Sequence, residues 1–530
     1  MSSTEDAAGP RGIHRYSDVP VVLATLGVVA LLVVTIAGRI TFPYDLEWME
    51  GGVLLHARRV MQGEGIYVTP TSDFIPFIYP PLYHWVVAAL GKAFGLSHTV
   101  GRAVSVVGTF AAAALAVVAA RGEGVRWGLS IAAAGLYLST FDETGAFFDL
   151  VRIDGLFMGL TMGALVAGRQ AFWRTSGILL TLAFATKHNA ALFGLPILIW
   201  AWRNHGRAEA LTFAKWSVLP ALTFTVLTQL LEGDGLFLTY LLGVPGVHPF
   251  HGRRFIWLTQ KEEVVALPVT TALLAVWAVA WWRGRVSGKP LSDRASGWLG
   301  RLPGPLQRLA LGYLQWWRKG TAEGPLSPGA RYWLANGALA LLLTAIMRGH
   351  HGGYINVLMP GMWVLSFAGV VAIERLRSRF RHPAVAWLLP LLVVGQLSQT
   401  LWKPTRYTAT DRDREAGDKL VEVLAAEEGE LLAPWSPWLL VQAGKEPGFH
   451  LIGLWDLDHE HGPLLDDVAT IRADADARRW SAIVVMDERQ MPPGVKQNYR
   501  RREALLPGGP SLKPKTGWRI RPKNMWRPKK

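Results

Sequence analysis

No cysteine occurs in the 530 residues, so disulfides, thiolate metal sites and a cysteine nucleophile are excluded and the redox compartment stays open. Charge is scarce as well. Only 18% of the residues are Asp, Glu, Lys or Arg, and they gather between long uncharged blocks instead of recurring at helical or strand spacing. With half of the chain apolar, this distribution excludes an ordinary set of soluble domains and points to blocks that face lipid or each other. No glycine-rich phosphate loop follows a strand-like run, which leaves a nucleotide site without support. No internal repeat of fixed period appears.

What is present is a series of apolar blocks. Eleven are long enough to read as membrane spans: 20–40, 100–120, 127–141, 153–168, 171–186, 189–202, 212–231, 265–282, 332–347, 354–372 and 383–401. The first follows Arg11 and Arg15, exceeds the length of a signal-peptide core and lacks a small-residue cleavage site, so it reads as an uncleaved span. Lys and Arg mark the cytoplasmic side. With the N-terminus inside, every inner loop is net basic, above all 283–331, which holds nine Lys or Arg against Asp293 and Glu323. The other loops collect carboxylates, and that alternation places Leu82–Leu96 outside as a re-entrant or interfacial helix. The short pair 171–186 and 189–202 reads as a hairpin turning at Lys187, His188 and Asn189, below the surface and against a cavity.

After Leu401 the chain turns polar and mixed. Helix-like 411–427 and 464–479 alternate with strand-like Leu431–Ala433 and Ala482–Met486, which predicts a small extracytoplasmic α/β domain over 402–495. The remainder, 496–530, is rich in Lys, Arg, Pro and Gly and is expected to be poorly ordered. The net charge of +15 lies largely in that tail and in short runs beside apolar blocks, so the expected partner is anionic membrane lipid and not nucleic acid.

The first outer loop, within 42–99, carries the densest chemistry. Asp45, Glu47 and Glu50 fall within six residues, and Val53, Leu54, Ala57, Val60 and Met61 follow at helical spacing, giving a surface helix with acids at its start. Those acids either cap the helix or include a carboxylate that takes a proton from an attacking hydroxyl. A second cluster, Asp142, Glu143, Asp149, Arg152 and Asp154, lies on the same expected side. Arg152 and Asp154 could simply pair, but Asp154 heads an apolar run where an unpaired carboxylate is costly. Lys187 interrupts two apolar blocks and needs an anion, either a lipid phosphate or Asp154. Arg253 is another cation on this side, and 348–360 brings Arg348, His350, His351, Tyr354 and Asn356 to the start of a span, as interfacial anchors or as ligands of a phosphate or sugar. Three D-x-D matches (Asp411/Asp413, Asp456/Asp458, Asp474/Asp476) sit in an acidic region where chance supplies them. Trp455–Gly462, WDLDHEHG, fits no standard zinc spacing and reads as a polar turn.

In these elements the chain resembles the GT-C superfamily, in particular the branch of protein O-mannosyltransferases and lipid A aminoarabinose transferases. The resemblance lies in an acidic motif after the first span (Asp45 to Glu50), surface helices, Tyr79-Pro80-Pro81 before an apolar helix, Arg152-Ile153-Asp154 opening the fourth span, Thr186-Lys187, and Tyr354 to Pro360. The family's first motif is usually an adjacent Asp-Glu pair, whereas here it is Asp45-x-Glu47-x-x-Glu50. The resemblance implies a polytopic α-helical GT-C fold over 1–401 in a prokaryotic inner membrane and an inverting transfer from a polyprenyl-phosphate sugar. The acceptor would be a hydroxyl on a lipid, glycan or protein. It implies Asp45, Glu47, Glu50 and Asp154 as catalytic candidates. Arg152, Lys187, His188, Arg253, Arg348, His350, His351, Tyr354 and Asn356 would be the substrate or lipid-phosphate contacts. No cofactor or metal ligand set is assigned, and a divalent-metal requirement stays open. The competing class is a transporter or flippase; near-absence of charge inside the spans favours an enzyme working at one face.

Overall fold

The computed structural model describes residues 16–286, 304, 328–379, 383–507, 509, 511–518 and 521–530. Most of the expected basic loop 283–331 therefore lies outside the described residues, as do Arg11, Arg15 and Arg381.

Helices stand at all eleven positions read from the sequence: α1 Val19–Ala37, α4 His98–Gly122, α5 Trp127–Ser139, α6 Asp154–Arg169, α7 Trp173–Thr186, α8 Gly194–His205, α9 Arg207–Leu231, α11 Pro268–Val286, α12 Pro328–Gly349, α13 Met359–Arg379 and α14 Pro383–Gln399. Between α1 and α4 lie two shorter helices, α2 Glu50–Gln62 and α3 Leu82–Phe94, and α10 Thr259–Ala266 precedes α11. Among the described residues, six helices are long and apolar enough to cross a membrane, or seven if the pair bent by 102° around Leu267 counts as one span. The chain is a multi-pass membrane protein, and the figure of eleven stays an expectation. At 13 residues α3 reaches about 20 Å, short of a hydrocarbon core of about 30 Å. The most lipid-like surface is α9, which exposes Leu211, Leu219, Leu222, Val226, Leu230 and Leu231.

Small residues set the closest helix crossing. A Cβ on Gly108 would lie 2.3 Å from the Gly155 carbonyl oxygen, and one on Gly155 would lie 2.4 Å from that of Ser105. Only glycine lets α4 and α6 touch backbone to backbone, and that contact fixes where α6 begins. At the far end of the bundle, Arg377 meets Asp18 at 2.6 Å and Arg169 meets Glu123 at 2.6 Å, so charges there are spent on latching helices together.

The C-terminal region carries α15 Asp411–Ala426, α16 Leu451–Leu457 and α17 Leu465–Asp476 around a four-stranded sheet ordered β1-β2-β4-β3. Strands β1 Leu431–Leu432 and β2 Ala482–Val485 run parallel, whereas β4 Asn524–Pro528 is antiparallel to both β2 and β3 Tyr499–Ala504. The expectation of a poorly ordered tail is thus overturned: 499–528 supplies half of the sheet strands. The reason is that apolar Met525 and Trp526 pair across Val484 and Ile483 on the buried strand β2, while Arg527 bridges Glu427 and Glu503. Composition hides this, because basic residues and Pro surround a short apolar core contribution.

Candidate active site

The acids of the first loop face three different environments. Glu50 is fully buried, with its carboxylate held by Arg102 through contacts of 2.9 and 2.7 Å. It also accepts from the backbone N–H groups of Leu46 (2.6 Å) and Val151 (2.8 Å). Burial alone would raise this carboxyl, but the Arg102 guanidinium and the N–H donors hold it down at about 2. Arg102 also donates to the carbonyls of Arg39, Phe42 and Tyr44, so Glu50 and Arg102 weld α1, the first loop and α4 together.

Glu47, three residues earlier, is almost as buried but poorly held. It accepts from Met49 N–H at 3.2 Å and meets Arg152 at 3.5 Å. Burial pushes its carboxyl up to about 7, with Arg152 pulling the other way and Glu50 adding to the rise. Asp45 is less enclosed. Its Oδ1 lies 2.8 Å from His98 Nε2, and it lines a small pocket with Trp48, Ser436, Met486, Leu512 and Pro514.

A second pocket lies at the start of α6. Asp154 receives Lys187 Nζ at 3.3 Å on one carboxylate oxygen and the Asn356 amide at 3.0 Å on the other, and all three residues line the pocket with Phe157, Asn189 and Met347. The sequence folds this way because α7 ends at Thr186, Lys187 adopts an extended backbone, and a 3₁₀ turn from His188 to Phe193 reverses the chain into α8. An ammonium on such a turn, only 7% exposed, needs its carboxylate. The ammonium also sits 5.4 Å from the Phe157 ring centre.

Arg152 links the two pockets, two residues before Asp154 and in contact with Glu47, itself two residues after Asp45. Tyr79 and Asp456 belong to the same electrostatic cluster, and burial pushes the Asp456 carboxyl up to about 7 against the pull of Arg152. The first loop thus presents the Asp45 carboxylate at one pocket and sets Glu47 against Arg152, while Asp154 holds the Lys187 ammonium at the other pocket.

Residues 77–302 match the model of glycosyltransferase family 87. That stretch is less than half of the chain, and it makes this region similar to a family of glycosyltransferases. No curated protein matches it. Solved structures similar to this chain include ArnT from Cupriavidus metallidurans bound to undecaprenyl phosphate, 15% identical over 86% of this chain and 79% of that one, with a TM-score of 0.40. Another is the archaeal oligosaccharyltransferase AglB from Archaeoglobus fulgidus in complex with an inhibitory peptide and a dolichol-phosphate, 11% identical over 87% and 69%, with a TM-score of 0.43.

In this structure the residues expected from sequence divide. Asp45, Glu47, Arg152, Asp154, Lys187 and Asn356 converge as described, and His188 follows Lys187 in the same turn. Tyr354 packs against Phe147 with ring centres 5.4 Å apart. Five others sit elsewhere. Glu50 is committed to Arg102, which removes it as a base. Arg348 forms a two-point contact with Glu262 at 2.9 and 2.8 Å, so its charge is already answered. Arg253 is exposed to solvent, away from both pockets. His350 and His351 lie beside His248, outside the pocket lining.

Sequence reasoning missed His98, Arg102, Tyr79 and Asp456. Arg102 left a signal as a lone cation near the start of an apolar span, Tyr79 as part of Tyr79-Pro80-Pro81 and Asp456 within a D-x-D match, none of them read as a site residue. As for metal, Asp45, Glu50 and His98 place ligand atoms within 4.8 Å of one another, but the Glu50 oxygens are taken by Arg102 and backbone donors. What remains is a carboxylate–imidazole pair that orients Asp45.

Proposed function

We propose that this protein is a glycosyltransferase that moves a sugar from a polyprenyl-phosphate carrier to an acceptor hydroxyl by a single displacement at the outer face of a prokaryotic inner membrane. The observation that carries this reading is the Asp154–Lys187–Asn356 pocket: an ammonium buried beside the start of a span and held by a carboxylate, with a separate pocket at Asp45. The two pockets divide the work. Asp45, held by His98 and open to the pocket under Ser436 and Leu512, takes the proton of the acceptor hydroxyl. The oxygen attacks the anomeric carbon, the bond to the phosphate oxygen breaks, and Lys187 meets the charge that grows on the departing phosphate. One displacement inverts the anomeric centre. Glu47 keeps Arg152 in place between the two, and Asp154 holds Lys187 ready until a phosphate competes for it.

The reading also fixes an orientation, with the first loop and residues 402–530 outside and 121–126 and 283–331 inside. It takes residues 1–401 as the catalytic membrane module.

The test uses purified protein with a polyprenyl-phosphate sugar and scores transfer and melting temperature together. Asp45→Asn should lower turnover about a hundredfold or more while the protein still melts near the wild-type temperature. Lys187→Met should reduce turnover more than it reduces stability. Full transfer by Asp45→Asn together with loss in Glu47→Gln would move the base to Glu47. Full transfer by both variants, or by Lys187→Met with a lowered melting temperature, would sink the assignment.

A further inference from the structure

Two sequence motifs are left unused by the transfer reaction, the His-His pair at 350–351 and the His459 turn in WDLDHEHG. The fold brings them to one place, together with His248 from the segment between α9 and α10. The ring centres of His248 and His351 are 4.9 Å apart, those of His248 and His459 4.9 Å, and those of His351 and His459 4.8 Å. Three imidazoles from three separate segments therefore form a nearly equilateral triangle. A metal–nitrogen bond of about 2.1 Å, with the ring centre about 1.1 Å beyond, puts ring centres about 5 Å apart around a tetrahedral ion. The triangle matches that spacing to within a few tenths of an ångström.

The nitrogens carry the second observation. His248 Nδ1 and His459 Nε2 are both buried with no hydrogen-bond partner. His248 Nε2 lies 2.8 Å from the Asp456 carbonyl oxygen. A carbonyl only accepts, so His248 donates there through Nε2–H and keeps its lone pair on the unpartnered Nδ1. That is how a metal-ligating histidine is usually braced from behind. His350 is different, because its ring nitrogens lie 3.1 and 3.3 Å from the carbonyls of His351 and Pro245. It packs against His248 with each ring nitrogen turned toward a carbonyl oxygen.

We propose that His248, His351 and His459 bind one divalent transition-metal ion of the zinc type, with a fourth position left to water. Imidazole ligands favour Zn²⁺, Co²⁺, Ni²⁺ or Cu²⁺ over the oxygen-seeking Mg²⁺ and Ca²⁺. Ring orientation has to adjust: Asp45, Glu50 and His98 are the set among the described residues whose ligand atoms already converge, so binding here turns at least one imidazole about its χ2. The ion would fasten two membrane-module loops to the turn after α16. One of those loops runs on from His351 to Asn356, so the fastening also braces one wall of the Lys187 pocket. The site stands independently of the proposed transfer chemistry.

The experiment takes full-length protein without a histidine tag, stripped with chelator in detergent, and titrates Co²⁺ while recording its visible d–d absorption. One equivalent should bind with the intense spectrum of a tetrahedral site, and Zn²⁺ should displace it and raise the melting temperature. His248→Ala and His459→Ala should each lose the spectrum and at least tenfold in affinity, whereas Asp45→Asn and the exposed-site variant His461→Ala should keep both. If His248→Ala misfolds, His459→Ala decides. Absence of stoichiometric binding, binding unchanged in the His459 variant, or binding abolished by Asp45→Asn would each overturn the proposal.

Discussion

Glu47 and Glu50 stand three residues apart, both are buried, and each faces an arginine, yet they occupy opposite kinds of region. At the weld of α1, α2 and α4, Glu50 meets a two-point guanidinium and several backbone N–H groups, and Arg102 in turn satisfies three carbonyls. Between the two pockets, Glu47 has a single N–H at 3.2 Å and a guanidinium at 3.5 Å. Burial is common to both regions, so it does not separate them. The number of donors does: a saturated carboxylate is a fastener, and an undersupplied one retains capacity for chemistry.

The sharpest way to break this comparison is Arg102→Leu. It strands a fully buried carboxylate and three carbonyls, and it should destabilise the protein by about 3 to 5 kcal/mol, seen as a collapse of folded yield and melting temperature. Wild-type melting in this variant would mean that Glu50 is not a fastener.

A smaller effect, with opposite signs in the two regions, should appear on changing pH. The Glu47 carboxyl is raised to about 7 against an ordinary value near 4.5, so the folded state holds its proton more tightly than the unfolded state. Its contribution is present below 4.5 and is lost as pH climbs through 7, by up to about 3 kcal/mol. Glu50, held at about 2, contributes above 4.5 and loses that contribution as pH falls toward 2. Melting temperatures between pH 5 and 8 should therefore decline in the wild type and decline less steeply in Glu47→Gln, where the Asp456 carboxyl, also raised to about 7, keeps its own share. An equal decline in both proteins would place the titration elsewhere.

The smallest expected effect is that of Arg253→Ala. With its side chain in solvent, substitution should leave turnover within about twofold and stability within about 0.5 kcal/mol. A turnover loss like that of Lys187→Met would bring Arg253 back to the phosphate.

The difference between the two glutamates was not legible in the sequence, although much around them was. Lys187 and Asp154 could be paired on paper because each interrupts an apolar run and a charge there must find its opposite. The short hairpin and its turn followed from block lengths. Glu50 was misread as a candidate base because its partner lies 52 residues away, and only the packing of α4 on the first loop turns Arg102 toward it. Arg348 and Arg253 looked equivalent as cations near one membrane edge; a distant Glu262 occupies one and solvent surrounds the other. The tail misled by composition. Its basic and proline-rich average conceals the few apolar residues that complete the sheet.

That tail carries one more consequence. Residues 515 and 516 donate backbone N–H groups to the Leu46 carbonyl, at 2.8 and 3.1 Å, Gly517 lies against Glu47, and Trp518 meets the Trp48 ring edge-on at 5.1 Å. Leu512 and Pro514 wall the pocket at Asp45. The carboxylates proposed to react and the residues that enclose them lie far apart along the 530 residues. Membrane insertion of the early helices therefore cannot by itself assemble the active centre. Competence waits on a long-range closure between residues 45–48 and 512–518, and a variant lacking 512–518 should be inserted but inert.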